Sequence, residues 1–212
     1  MNKDNYTPLH RAALNGHAST VELLLMNDAW IEATDEDKNT PLHLAAWKSH
    51  SRVVELLLDQ GASIQAMNRF RNSPLHLAAW HGHTGMMELL LQKGALIGTI
   101  NMRDNTPLHL AALKGHTRMV ELLLENGAPI EAIGENGNTP LHLASRCGRA
   151  GTVRLLLREG ASIQARNSHF HTPSHLAAWN GHSDVVELLI LDESAPIDSF
   201  NDTPLHRGVI LV

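Results

Sequence analysis

The sequence Thr40-Pro41-Leu42-His43 decides the fold, because it returns at fixed intervals along the chain. Identical copies begin at Thr7, Thr106, Thr139 and Thr203, and copies with one residue changed begin at Ser73 and Thr172. From Thr7 to Thr172 the copies start 33 residues apart each time, and the last step, to Thr203, shortens to 31 residues. A fixed period of this length is typical of repeat proteins, in which each repeat forms one structural unit.

Each copy marks the start of a helix. Thr is a good helix N-cap because its hydroxyl accepts a backbone N–H, and Pro fits the first helical position, where no donor is needed. The best-preserved copies continue with Leu-Ala-Ala-x-x-Gly-His and then with Val-Glu-Leu-Leu-Leu-x-x-Gly-Ala, which predicts a short first helix and then a second helix. The second helix is expected to stop at a glycine in left-handed conformation, at Gly61, Gly94, Gly127 and Gly160.

These features together resemble the ankyrin repeat over essentially the whole chain. The resemblance implies an all-α fold, a solenoid of stacked helix-turn-helix units with β-turn fingers and a concave groove that binds other proteins. We expect six full repeats and a truncated seventh, in a single domain spanning residues 1–212. The approximate boundaries are 2–34, 35–67, 68–100, 101–133, 134–166, 167–197 and, for the partial repeat, 198–212.

Composition narrows the class of protein. The net charge of −5 gives no reason to expect nucleic-acid binding, and the single cysteine excludes an internal disulfide and fits a reducing compartment. The first residues are polar and the apolar runs are short, so neither a signal peptide nor a membrane segment is expected. We therefore expect an intracellular, cytoplasmic protein, with the nucleus as the alternative.

The two ends of the array differ in polarity. On a helical wheel Leu44 points away from its own second helix, so an adjacent repeat has to cover it. Arg11 stands at the same position in the first repeat and predicts a polar N-terminal cap. The apolar residues 208–212 lack such a cap, which indicates either a longer array or end-to-end pairing. We expect a monomer, with association through 208–212 as the alternative.

Departures from the repeat pattern locate the expected binding surface. The residue three after Leu44 projects away from the second helix, and three of the four tryptophans stand there or at the equivalent position. In ankyrin repeats this position, the next one and the finger face the groove. The expected partner-binding residues are Leu14, Trp47, Lys48, Arg69, Phe70, Trp80, His81, Arg103, Leu113, Lys114, Arg146 and Trp179.

Basic residues gather beside these aromatic side chains, so the expected partner offers an apolar and acidic segment of protein or peptide. The alternative is that each Trp lies flat across the neighbouring first helix and stabilises the stack. The residues before the capping Thr or Ser have two interpretations as well. Asn39, Asn72, Asn105 and Asn138 could bind an extended peptide backbone or simply suit the turn.

The repeat explains twelve of the fifteen histidines, which are expected to form hydrogen bonds within and between repeats. His169 and His171 are neighbours on one finger, but a zinc site normally needs four ligands, so we expect no metal. Ankyrin fingers usually have Gly two residues before the capping Thr, and only Gly137 keeps it. The conformation of the other fingers therefore stays open at this point.

The sequence has no Gly-rich phosphate loop, nucleophile elbow or carboxylate pair outside the scaffold, so no enzyme activity and no cofactor are expected. The predicted function is a non-catalytic protein–protein interaction scaffold that binds its partner along the concave groove. Two alternatives remain open. One is a targeting fragment of a larger enzyme or effector, and the other is an engineered or model repeat protein without a natural partner.

Overall fold

The computed structural model describes residues 5–191, which form twelve α-helices and one 3₁₀ turn and contain no β-strand. The α-helices are α1 Pro8–Leu14, α2 Ala18–Met26, α3 Pro41–Trp47, α4 Ser51–Asp59, α5 Pro74–His81, α6 Thr84–Gln92, α7 Pro107–Lys114, α8 Thr117–Glu125, α9 Pro140–Arg146, α10 Ala150–Arg158, α11 Pro173–Trp179 and α12 Ser183–Leu191. A first helix of seven or eight residues alternates with a second helix of nine, so the predicted all-α fold of helix pairs is confirmed.

The helices fall into two compact units, Met1–Met102 (unit 1) and Arg103–Val212 (unit 2). In unit 1 the first helices α1, α3 and α5 pack side by side, and each also packs on its own second helix. In unit 2 the helices α7, α9 and α11 pack in the same way, and α10 lies against both α8 and α12. The expected partial repeat at 198–212, including the association site at 208–212, lies outside the described residues.

Small apolar side chains make the core of each repeat. Leu42, Ala45, Ala46, Val54 and Leu57 are all fully buried, because the two helices of a pair approach closely at the alanines. Leu44 is also buried although it points away from its own second helix, whereas Arg11, at the same position in the first repeat, is exposed. The exposed Arg11 is consistent with a polar outer end, and its guanidinium lies 5.5 Å from the ring centre of Tyr6.

The Thr-Pro-Leu-His sequence caps its helix as predicted. Thr40 lies in extended conformation, its side chain accepts the backbone N–H of His43, and Pro41 is the first helical residue. The other described first helices begin in the same way. At the far end of the second helices, Gly61, Gly94, Gly127 and Gly160 have φ between 83° and 91°, which confirms the predicted left-handed stops.

The fingers share a left-handed residue near the cap, and this residue need not be glycine. The residue two before the cap has a positive φ in all six described fingers, namely Asn5, Lys38, Arg71, Asp104, Gly137 and Phe170. A non-glycine residue pays roughly 1–2 kcal/mol for this conformation. Hydrogen bonds at the base of the finger compensate, since the Oδ1 of Asn68 accepts the N–H of Phe70 and of Asn72, each at 3.0 Å.

The same finger-base side chains also join neighbouring fingers. The Nδ2 of Asn68 donates to the Oδ1 of Asn39, and that of Asn101 donates to Asn72, each at 2.9 Å. In unit 2 the Nδ2 of Asn167 donates to the Oδ1 of Asn138 at 2.9 Å. The asparagines that precede the caps therefore hold successive fingers together, which favours their structural interpretation over the binding of a peptide backbone.

Candidate functional site

The aromatic surface of unit 1 consists of Trp47, Lys48, Trp80 and His81. Both tryptophans come at the C-terminal end of a first helix, because the helical period turns this position away from the buried Leu and Ala residues. Trp47 is half-buried: the Lys48 Nζ lies 4.2 Å from its ring centre, and the His81 ring lies 6.0 Å away. Trp80 is more open, with 36% of its surface exposed.

The next repeat fixes the position of Trp47. The rings of His81 and His83 stack with centres 5.7 Å apart, and the Nε2 of His83 forms a 2.9 Å hydrogen bond with the backbone carbonyl of Trp47. Trp47 thus takes part in the stack, as the structural alternative predicts, and still presents part of its ring. Trp80 is less covered than Trp47, since more than a third of it is open to solvent.

The fingers of unit 1 add charged and apolar groups. Arg69 forms a 3.0 Å ion pair with Asp37 of the preceding finger, and its guanidinium lies 5.3 Å from the ring centre of Phe70. Arg69 and Phe70 are both predicted binding residues, but nothing in the sequence pattern predicts this ion pair. The predicted set also lacks three exposed apolar residues, Met67, Ile100 and Met102. The sequence does contain a signal for them, because other fingers have polar residues at the same positions. Thr34 and Arg166 correspond to Met67 and Ile100, and Glu36 corresponds to Met102.

Unit 2 has an aromatic cluster of its own around Trp179, which is 54% exposed. The edge of Trp179 meets the ring of His171 with centres 5.8 Å apart, and His171 stacks on His169 and His175, each at 6.1 Å. Phe170 is exposed beside them. The structure therefore places Trp179, a predicted binding residue, against the finger that carries His169 and His171. The sequence suggested that finger only as a weak metal site.

The remaining predicted residues are held mainly by backbone contacts or by ion pairs. Leu14 and Arg146 are half-buried, and their carbonyls pair with the Nε2 of His50 at 3.0 Å and of His182 at 3.1 Å. Arg103 pairs with Glu135 at 3.5 Å. Leu113 and Lys114 are half-buried at the end of α7. Two of the predicted basic residues, Arg69 and Arg103, thus already face a carboxylate.

The histidines of the Thr-Pro-Leu-His sequences within residues 5–191 are structural. The Nδ1 of His43 accepts the backbone N–H of Thr40 at 3.2 Å, and its Nε2 pairs with the carbonyl of Asn72 at 3.0 Å. The first contact requires an unprotonated Nδ1, so the Nε2 carries the proton. Burial lowers the pKa of His43, His109 and His142 to about 4 and also lowers the pKa of His10. These side chains act as neutral links between repeats.

Within residues 5–191, no three His, Cys, Asp or Glu side chains are grouped so that they could hold a metal ion. The same part of the chain contains no helix that is both long enough and apolar enough to cross a membrane.

Comparison with known proteins agrees with the repeat pattern. A family model described as "Ankyrin repeats" matches three stretches, residues 1–68, 32–104 and 75–167, and one described as "Ankyrin repeat" matches residues 169–202. No curated protein matches the chain.

Proposed function

The chain belongs to the ankyrin-repeat family, and we propose that it is a non-catalytic scaffold that binds a partner protein or peptide through the first-helix ends and fingers of its repeats. Ankyrin repeats generally mediate protein–protein interactions. The proposal further specifies the binding surface of this chain and the chemistry of the partner.

The main support for the proposal is that exposed tryptophans stand at a position where the repeat pattern requires no particular residue. Trp80 and Trp179 occupy the same repeat position, and neither is needed to fill the helix pair, because Leu14, Leu113 and Arg146 stand there in other repeats. Exposed aromatic rings are unfavourable in water unless a partner covers them, and tryptophan is enriched among the residues that dominate binding energy. We therefore assign Trp80 in unit 1 and Trp179 in unit 2 as anchors.

The charges around the anchors support an acidic and apolar partner segment. In unit 1, Lys48 and Arg71 are exposed, and in unit 2 Lys114 and Arg146 are half-buried at the ends of first helices. Arg69 and Arg103 contribute less, because each already pairs with a carboxylate. Acidic side chains of a partner would meet a surplus of positive charge, while its apolar side chains would cover the tryptophans.

The test uses a display library of random linear peptides selected on the wild-type protein. We expect enriched peptides to combine acidic with apolar residues, and Trp80→Ala to weaken the binding of those that use unit 1 by at least ~2 kcal/mol, about thirtyfold in Kd. Leu96→Ser is the matched control, because Leu96 is an exposed apolar residue in the turn after α6. Unchanged Kd values for all enriched peptides in both Trp80→Ala and Trp179→Ala would contradict the proposal.

A further inference from the structure

The first repeat carries an apolar patch that is distinct from the first-helix ends. Leu23 and Met26 lie on α2, and Trp30 lies in the turn that follows. Their side chains are 62%, 73% and 72% exposed, which makes them more open than Trp80. We call Leu23, Met26 and Trp30 the α2 patch. Several large apolar side chains exposed on one helix and the turn that follows it indicate an interaction site.

Leu23 and Met26 share one side of α2, and Trp30 follows in the turn at the end of that helix. At about 100° per residue, Leu23 and Met26 lie roughly 60° apart on the helix, on the side opposite the fully buried Val21. The chain then folds back onto the helix, because the backbone N–H of Ala29 donates to the carbonyl of Leu24 at 3.0 Å. This contact holds Trp30 at the end of the same helix.

The repeat framework does not require two of these residues. The position of Met26 holds Asp59, Gln92, Glu125, Arg158 and Leu191 in later repeats, and the position of Trp30 holds Ser63, Leu96, Pro129 and Ser162. Polar residues thus suit both positions in the same fold. The first repeat alone has a large apolar side chain at both positions.

The position of Leu23 indicates what kind of structure fits the patch. Its counterpart Leu155 is only 5% exposed on α10, a helix that packs against α8. Leu23 is part of the same repeat surface but is open to solvent. A helix lying alongside α2 would cover Leu23 as other second helices are covered, and would extend over Met26 and Trp30.

The border of the patch is acidic. Residues 18–32 include Glu22, Asp28 and Glu32 and contain no Lys or Arg. On the neighbouring helix α4, Arg52 pairs with Glu55 at 3.2 Å, so it does not offset these charges. An occupant with basic residues beside its apolar stripe would therefore be favoured over an acidic or neutral one.

We propose that the α2 patch binds an amphipathic helix of a partner protein, with an apolar stripe over Leu23, Met26 and Trp30 and with Lys or Arg along its edges. Amphipathic helices are commonly recognised through apolar residues that act as anchors at helical spacing. The surface and the charge of its partner both differ from those proposed for the tryptophans of the first helices. A single chain could therefore hold an acidic segment and a basic helix at the same time.

The experiment uses a display library of randomised helical peptides, selected on the full chain. We expect enriched helices with a Leu, Ile or Met stripe flanked by Lys and Arg, and an affinity that falls as salt rises from low to physiological ionic strength. Trp30→Ser and Met26→Gln should each weaken binding by about tenfold or more. Both variants place a residue that later repeats carry at the same position, so the fold should persist, and circular dichroism checks this.

Two controls separate this proposal from the previous one. Leu96→Ser removes an exposed apolar residue at the position equivalent to Trp30, and Trp80→Ala removes the anchor of unit 1, so neither should weaken the helix. The proposal is overturned if no helix is enriched, if the enriched helices are acidic, or if Trp30→Ser leaves their affinity unchanged. It is also overturned if sedimentation shows a wild-type dimer that Trp30→Ser converts to a monomer, because a second copy would then cover the patch.

Discussion

Lowering the pH from 7 to 5 should strongly destabilise this protein, because His43, His109 and His142 are held neutral in the folded state. Burial lowers the pKa of each from the ordinary value of 6.5 to about 4. Their geometry acts in the same direction, since each Nδ1 accepts the backbone N–H of its capping threonine. A proton on Nδ1 would face that N–H and break the contact.

The direction of the change in unfolding free energy follows from the number of protons that the folded and unfolded chains bind. Between pH 6.5 and about pH 4 the unfolded chain binds protons at these histidines and the folded chain does not. The free energy of unfolding is therefore unaffected above this window and falls as the pH drops through it. Each histidine should contribute a loss of about 2 kcal/mol at pH 5, or about 6 kcal/mol for the three together. A loss of this size is comparable with the whole stability of many domains, about 5–15 kcal/mol.

Two measurements test this reasoning. Histidine proton resonances in NMR should show at least three side chains that remain neutral at pH 5 in the folded protein. Urea unfolding should show the loss of stability directly. The variant His142→Gln gives an internal control: it should be less stable than the wild type at pH 7, because it loses the 3.0 Å contact between His142 Nε2 and the carbonyl of His171. Its stability should nevertheless depend less on pH, by about 2 kcal/mol between pH 7 and 5.

If all histidine resonances of the folded protein titrate near pH 6.5, the buried histidines are not held neutral and the predicted loss of stability is wrong. It is equally refuted if His142→Gln and the wild type lose the same free energy of unfolding on acidification.

Two further substitutions test local packing. Ser145→Ala should raise the free energy of unfolding by about 1 kcal/mol, because the Ser145 Oγ is buried and has no hydrogen-bond partner, and urea unfolding that shows a loss instead would contradict this. Gly148→Ala should destabilise more than Gly61→Ala in thermal unfolding. Both glycines have positive φ, but a Cβ on Gly148 would lie 2.6 Å from the His182 Nδ1, whereas a Cβ on Gly61 would meet nothing within 4 Å.

The helix starts, the helix stops and the burial of Leu44 could all be predicted from the sequence. They depend on interactions within a few residues, such as the Thr40 cap, or on a pattern that recurs with the repeat. The identification of Trp80 and Trp179 as exposed departures from that pattern has the same origin. The binding roles of these residues remain predictions.

The environment of each side chain could not be predicted, because it depends on contacts between residues about 30 positions apart. The ion pair of Arg69 with Asp37 and the imidazole beside Trp47 both come from a neighbouring repeat. The left-handed fingers at Arg71 and Phe170 are another case, since no glycine signals them and backbone N–H groups that donate to the Oδ1 atoms of Asn68 and Asn167 support them.

The order of amino acids is enough to identify a row of ankyrin repeats, because a 33-residue period and a helix-capping tetrapeptide are local, repeated signals. The exposure of each predicted side chain follows from the three-dimensional packing. Packing between repeats partly covers Trp47 and places Arg69 against Asp37. The same packing leaves Trp80, Trp179 and the α2 patch exposed to solvent. Exposure is a property of the neighbours that a side chain meets in space, and the linear pattern does not specify those neighbours.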